Sequence, residues 1–180
     1  GQRPLDLLEC ARAVALLARH ADGLSALALE AGRLGLGGNR EMISKLLTLS
    51  RLPREIQAAV GDATLTLPMA LELGRHPAEA ARALTGLFSR LKPSLNRQRE
   101  FLELLREIAL REGVGIADIL RGPEPGSILG DPDADRNRAS RLLRDYLVRR
   151  RFPHISRAEA DVARAIEALG LGADVSLTPP

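Results

Sequence analysis

Residues 39–50 read NREMISKLLTLS, and this stretch decides the fold of the first half of the chain. On a helical wheel the apolar side chains gather on one side. They are Met42, Ile43, Leu46, Leu47 and Leu49. Asn39 is a favourable N-cap, because its side-chain oxygen can accept hydrogen bonds from N–H groups of the first turn. The stretch therefore predicts an amphipathic helix from about Asn39 to Ser50, with one face buried and a polar face outside.

The residues before this stretch predict a second, shorter helix and a tight turn. Apolar spacing favours a helix at about 25–34, and the glycine cluster Gly35-Leu36-Gly37-Gly38 follows it. Glycine tolerates the positive φ values that tight turns need. A short helix, a turn and a polar-faced helix in series are typical of a helix-turn-helix. We therefore predict a helix-turn-helix at about residues 25–50.

Helical spacing continues through the rest of the chain. The 180 residues are 45% hydrophobic but only 2% aromatic. The core must therefore consist of Leu, Ala, Ile and Val, and the β-branched and aromatic residues that strands prefer are scarce. We predict an all-α fold with further helices near residues 4–20, 53–60, 66–73, 77–89, 94–112, 116–120, 135–151 and 156–169.

One segment interrupts this series with dense proline and glycine. Residues 121–135 read RGPEPGSILGDPDAD, a composition typical of a linker. The sequence thus predicts a helix-turn-helix domain over residues 1–121, a linker over 122–134, and a helical extension over 135–180. The abrupt ends indicate a fragment truncated at both termini.

The polar face of the helix at 39–50 suits duplex DNA. Lys and Arg engage phosphates, and Arg, Lys, Asn, Ser and Thr can read base edges in the major groove. This face carries Glu41, Ser44, Lys45 and Thr48, with Arg40 on its flank. The alternative is that this face only meets water, as most polar helix faces do.

Three motifs in sequence order carry a resemblance to a known family. Residues 43–60 read ISKLLTLSRLPREIQAAV, residues 64–73 read TLTLPMALEL, and residues 76–79 read HPAE. Together they resemble the central DNA-binding domain of the ParB/KorB partition proteins. In that family the recognition helix runs into a Leu-Pro, here Leu52-Pro53, that begins the next helix. The resemblance covers about residues 5–112.

The resemblance implies a function and a set of site residues. It implies sequence-specific binding to a palindromic duplex, in plasmid or chromosome partition or related regulation, by a cytoplasmic, nucleoid-associated bacterial protein. By position, the resemblance implies that the DNA-facing residues are Asn39, Arg40, Glu41, Ser44, Lys45 and Thr48. It also implies that Arg51 and Arg54 are candidate phosphate contacts. It also implies self-association of the full-length protein and a nucleotide-binding domain before Gly1. The arginine-rich nucleotide box of that domain has no counterpart here, so we expect no cofactor and no catalysis.

A second basic region lies in the predicted extension. Residues 136–151 hold seven arginines against one acid, Asp145. These arginines could contact DNA phosphates, which would make binding strongly salt-dependent. Alternatively, they pair with acids of neighbouring helices. The candidate phosphate contacts here are Arg138, Arg141, Arg149 and Arg150.

Other kinds of site find little support in the sequence. The single cysteine excludes an internal disulfide, and the three histidines lie far apart. Asp131, Asp133 and Asp135 suggest the start of a calcium loop, but Arg136 stands where that loop needs glycine. They are better explained as acids at a helix N-terminus. The sequence has no run of 18 apolar residues, so it predicts no membrane span. We therefore expect no metal site. The alternative function is a helical module for protein–protein interaction or self-association that does not bind DNA.

Overall fold

The computed structural model describes residues 5–36, 39–131 and 135–168. Within these residues the chain forms eleven α-helices and no strand, so the predicted all-α fold is confirmed. The helices are α1 (Leu7–Leu17), α2 (Leu24–Arg33), α3 (Arg40–Arg51), α4 (Arg54–Gly61), α5 (Leu67–Leu73), α6 (Ala78–Leu91), α7 (Leu95–Glu112), α8 (Ile116–Arg121), α9 (Pro123–Gly130), α10 (Arg136–Arg151) and α11 (Pro153–Ala168).

Helix α3 lies at the centre of the first group of helices. It packs mainly against α1 and also against α2 and α5. Its buried side chains are Ile43, Leu46 and Leu49, which recur every three residues and so lie along one face. The helical wheel places Met42 and Leu47 on this face, yet Met42 is exposed and Leu47 is half-buried. The buried stripe is therefore narrower than the wheel predicts.

Helices α6, α7, α8 and α10 form the second group. Phe88 of α6 and Phe101 of α7 are fully buried. Leu143 and Leu147 of α10 are also fully buried and belong to the same apolar cluster. One continuous core therefore runs from α1 to α10, and α10 packs directly on α7 and α6.

The prediction of a linker over residues 122–134 is wrong for most of its length. Pro123–Gly130 forms α9, which packs against α8 and α10. Pro123 does not prevent a helix, because it stands at the first helical position, where an N–H has no intrahelical partner. Ile128 and Leu129 then pack against the core. The end of the predicted linker, 132–134, and the end of the predicted extension, 169–180, lie outside the described residues, as do residues 1–4.

Side chains cap the starts of four of the described helices, α1, α3, α5 and α10. Asp6 and Glu9 form a reciprocal capping box at α1, and Thr66 accepts a hydrogen bond from the Met69 N–H at α5. Helix α2 begins at Leu24, one residue before the predicted start, and Gly23 precedes it as the N-cap. Gly23 has a φ of 94°, a backbone conformation that glycine adopts without steric strain. None of the described helices is both long and apolar enough to cross a membrane.

Candidate nucleic-acid interface

The N-terminus of α3 is fixed by Asn39. Its Oδ1 accepts hydrogen bonds from the Glu41 N–H at 2.8 Å and the Met42 N–H at 3.4 Å. The predicted N-cap is therefore confirmed. Because this oxygen is occupied by the backbone, only the amide NH₂ of Asn39 is left to meet a ligand.

The predicted polar face of α3 is accessible. Arg40, Glu41, Ser44 and Thr48 are exposed, and Lys45 is half-buried. Since Ile43, Leu46 and Leu49 anchor the opposite face in the core, these side chains are held outward by a rigid element. The structure thus places the predicted α3 residues on one accessible surface.

The cations of this face differ in their partners. Lys45 Nζ lies 2.5 Å from Glu41 Oε1, one helical turn away. The hydrogen bond from Lys45 holds the pKa of Glu41 below its usual value, which favours the charged form of this carboxylate. Arg40 has no ion-pair partner within the described residues. An exposed pair of this kind contributes only about 0–1 kcal/mol, so a phosphate can compete for Lys45 at small cost.

The two hydroxyl groups of this face differ in their hydrogen bonding. Thr48 Oγ1 donates to the Ser44 carbonyl at 2.9 Å, which leaves its lone pairs and methyl group facing outward. Ser44 is exposed, and its hydroxyl can donate or accept. The two residues thus offer acceptors, one free donor and one methyl group at neighbouring positions.

A groove beside α3 adds a residue that the sequence analysis missed. Ser44, Lys45 and Thr48 line it on one side, and Leu71, Gly74 and Arg75 line the other. Arg75 is exposed and lies 3.2 Å from Glu72 Oε2. It stands far from α3 in the chain, and only the packing of α5 on α3 brings it to the groove. No periodicity or motif in the sequence indicates this proximity.

Gly74 permits this close packing. A Cβ atom added at Gly74 would overlap Leu52 Cδ2, well inside van der Waals contact. Leu52 follows α3 directly, and Gln57 Nε2 fixes the same corner by donating to the carbonyls of Ser50 and Leu52. The end of α3 is therefore held both by packing and by hydrogen bonds.

Arg51 and Arg54 continue the surface beyond α3. Arg51 is the last residue of α3, and Arg54 is the first of α4. Both are exposed, and within the described part of the chain neither forms an ion pair. Together with Arg40, they give this surface three guanidinium groups that pair with no acid among the described residues.

The arginine-rich helix α10 divides into two halves. In its C-terminal half, Arg144 pairs with Glu100 at 2.7 Å, and Arg149 pairs with Glu124 at 2.6 Å. The acids of α7 take the remaining two arginines: Glu112 pairs with Arg150 at 2.6 Å, and Glu107 pairs with Arg151. In the C-terminal half of α10, the arginines thus pair with acids of neighbouring helices, which is the alternative to phosphate contact.

Arg111 of α7 completes the contact with α10. Its guanidinium donates to the Arg151 carbonyl at 2.5 Å and to the Arg150 carbonyl, both in the last turn of α10, where carbonyl groups lack a partner within their own helix. Glu112 accepts hydrogen bonds from both Arg111 and Arg150. The hydrogen bond from Arg150 is the main reason why the pKa of Glu112 is lowered.

The N-terminal half of α10 is different. Arg136, Arg138 and Arg141 are exposed and have no ion-pair partner among the described residues. Of the four candidate phosphate contacts on α10, Arg149 and Arg150 pair with acids, whereas Arg138 and Arg141 pair with none of the residues that the structure describes.

Metal ligands do not gather in the part of the chain that the structure describes. There it holds no group of three or more His, Cys, Asp or Glu residues that could bind a metal ion. Asp135 N-caps α10 by accepting from the Arg138 N–H at 3.1 Å, as an acid at a helix start should. Asp133, the middle acid of the suggested calcium loop, lies outside the described residues. His76 is partly buried, and desolvation lowers its pKa.

Comparisons with known proteins give no family for this chain. No protein-family model matches it, and neither the curated proteins nor the solved structures contain a match.

Proposed function

We propose that this chain binds duplex DNA, with α2 and α3 as a helix-turn-helix and α3 as the helix that enters the major groove. The observation that carries the proposal is the exposed polar face of α3, held outward by Ile43, Leu46 and Leu49 in the core. Arg40, Ser44, Lys45 and Thr48 are the residues proposed to meet base edges.

The surroundings of α3 support the same function. A duplex seated on α3 would meet exposed cations at both ends of the helix, Arg40 at one and Arg51 and Arg54 at the other. Phosphate contacts of this kind position a protein on the duplex without reading its sequence. Arg75, across the groove from Ser44 and Thr48, is a further candidate contact.

The biological role follows from the resemblance to the ParB/KorB proteins. On that basis we propose a palindromic target and a role in plasmid or chromosome partition or related regulation. The protein would act at the nucleoid in the cytoplasm, would self-associate at full length, and would bind DNA without catalysing a reaction.

A selection experiment tests this function. The chain is incubated with a library of random duplexes, and the bound duplexes are amplified and sequenced. The affinity of the chain for the enriched duplex is then measured by fluorescence anisotropy at low and moderate salt. We expect an enriched palindrome that binds more tightly than a scrambled duplex. If no duplex binds even at low salt, the proposal fails.

One observation favours the alternative of an interaction module. Leu16, Leu17, Leu34 and Leu36 line a mostly apolar groove between α1 and the turn after α2. Leu16 and Leu34 are more than half exposed, at 58% and 63%. Exposed apolar surface of this kind can mark a protein interface. Sedimentation of the wild type and of Leu16→Ser tests it: a wild-type oligomer that the variant loses would support the module.

A further inference from the structure

A concave surface between α1 and α4 brings together two arginines that lie far apart in the sequence. Arg12 of α1 and Arg54 of α4 line it, together with Leu8, Gln57 and Ala58. Both arginines are exposed. Arg54 is a candidate from the sequence, whereas nothing in the sequence pairs it with Arg12.

The packing of α1 on α4 explains this arrangement. Leu8 and Arg12 are one helical turn apart on α1, so they lie on the same face. Leu8 sits against Gly61 at the far end of α4, where an added Cβ would come within 2.9 Å of Leu8 Cδ1. This close approach lets the two helices meet and directs Arg12 and Arg54 to the same depression.

The charges in this depression are not balanced by any residue that the structure describes. Within the described residues neither Arg12 nor Arg54 has an ion-pair or hydrogen-bond partner. The nearby acids are engaged elsewhere: Glu9 accepts from the Asp6 N–H at 2.8 Å, and Glu55 lies 3.7 Å from Arg82. Gln57 uses its NH₂ group on the backbone carbonyls of Ser50 and Leu52.

We propose that Arg12 and Arg54 together bind one phosphate group. Guanidinium groups suit this ligand, because their planar donors match phosphate oxygens in pairs. The site lies next to the C-terminal end of α3, since Arg54 follows Arg51 by three residues. Its ligand is a phosphodiester of the duplex that α3 contacts, and in this respect the inference rests on the proposed function.

The site extends the DNA-binding surface beyond the helix-turn-helix onto α1. Contacts on both sides of a recognition helix fix its register and orientation in the groove. Arg12 is thus a positioning residue that acts through the backbone of the duplex and carries no sequence preference of its own.

Three variants test the site: Arg12→Ala, Arg54→Ala and the double variant. Arg19→Ala is the matched control, because Arg19 lies beyond the end of the same helix, is exposed and does not line the concave surface. Binding to a mixed-sequence duplex is measured by fluorescence anisotropy over a range of salt concentrations. We expect each single variant to bind about fivefold more weakly, as for the loss of one exposed ion pair. Because the two arginines share one phosphate, the slope of log K against log salt should fall by about 0.9 in the double variant, which no longer neutralises that phosphate.

The controls separate the possible failures. Circular dichroism melts check that each variant is folded, and Arg12→Lys, which keeps the charge but loses the paired donors, should recover part of the affinity. If the wild type binds duplex and Arg12→Ala behaves like Arg19→Ala, the site is overturned while the proposed function stands.

A second probe distinguishes the source of the phosphate. The Nε–Hε resonances of Arg12 and Arg54 are followed by NMR during titration with the duplex and, separately, with pyrophosphate. Shifts of both resonances with the duplex support the proposal. Shifts with pyrophosphate alone, in a protein that binds no duplex, would overturn the phosphodiester assignment along with the proposed function. No shift with either probe would overturn the site itself.

Discussion

Helices α3 and α10 both carry cations on one side and an apolar stripe on the other, yet their cations have different partners. On the surface formed by α3 and the start of α4, Arg40, Arg51 and Arg54 are unpaired within the described residues. On the C-terminal half of α10, the arginines pair with acids of α7 and α9. Helix α10 thus has more arginines than α3, but a larger share of its positive charge is neutralised by acids of the fold.

The difference teaches that arginine density in the sequence is a poor guide to a binding surface. Four arginines of α10 form ion pairs within the fold, and Arg111 adds hydrogen bonds to the end of that helix. The few cations around α3 remain available because its neighbours α1, α2 and α5 present mainly apolar side chains to it. A phosphate binds more favourably to a cation that does not first have to leave an acidic partner.

The largest expected effects come from the apolar stripes of the two helices. Leu46→Ala in α3 and Leu143→Ala in α10 should each lower the free energy of unfolding by about 2–5 kcal/mol, because both side chains are fully buried. Urea unfolding followed by circular dichroism measures this. Leu110→Ala is the control, since Leu110 is 88% exposed. An unchanged midpoint for Leu143→Ala would mean that α10 does not share the main core.

The next effect concerns the cations of α3. Arg40→Ala combined with Lys45→Ala should weaken binding to the selected duplex by at least ~2 kcal/mol, if either side chain makes a good base contact at about 1–3 kcal/mol. Anisotropy titration measures this, and Arg149→Ala combined with Arg150→Ala is the control. Equal affinities of the wild type and the α3 double variant would show that the DNA interface does not lie on α3.

A smaller effect concerns Glu112, which holds α10 against α7. Glu112→Gln should lower the free energy of unfolding by about 1 kcal/mol or less near neutral pH, because the ion pairs are partly exposed. Its pKa in the folded protein is below the ordinary glutamate value of 4.5. The contribution is therefore present above pH 4.5 and is lost as the pH falls through the lowered pKa.

Urea unfolding of the wild type and the variant at neutral and acidic pH measures this dependence. Glu103→Gln is the control, since Glu103 is exposed on the same helix and has no ion-pair partner within the described residues. A difference between wild type and Glu112→Gln that persists unchanged in acid would show that the carboxylate charge is not the cause.

The smallest effect separates the two halves of α10. Arg138→Ala combined with Arg141→Ala should reduce the salt slope of DNA binding by about 1 for each phosphate that the variant no longer engages. Arg149→Ala combined with Arg150→Ala should leave that slope unchanged and lower stability instead, since those arginines already have acid partners. If both pairs change the slope equally, the distinction between the two halves is wrong.

Local rules predict the helices well and the contacts between them poorly. The apolar spacing of residues 39–50 and the N-cap Asn39 are readable from the sequence because both act within one turn of helix. The segment 123–130 has the composition of a linker, yet its prolines stand in the first turn of α9, where a helix accommodates them. Of the residues around α3 proposed to contact DNA, Lys45 is half-buried and the others are exposed, and their role in binding stays a prediction.

The sequence by itself determined that the chain is helical, where most helices begin and which side of α3 is polar, since these depend on neighbours within about four residues. Only the tertiary structure decided which cations are neutralised and which residues share a surface. The pairs Arg151–Glu107 and Arg12–Arg54 join residues more than forty positions apart. Such proximity follows from how helices pack, and helix packing depends on the shape of the whole core.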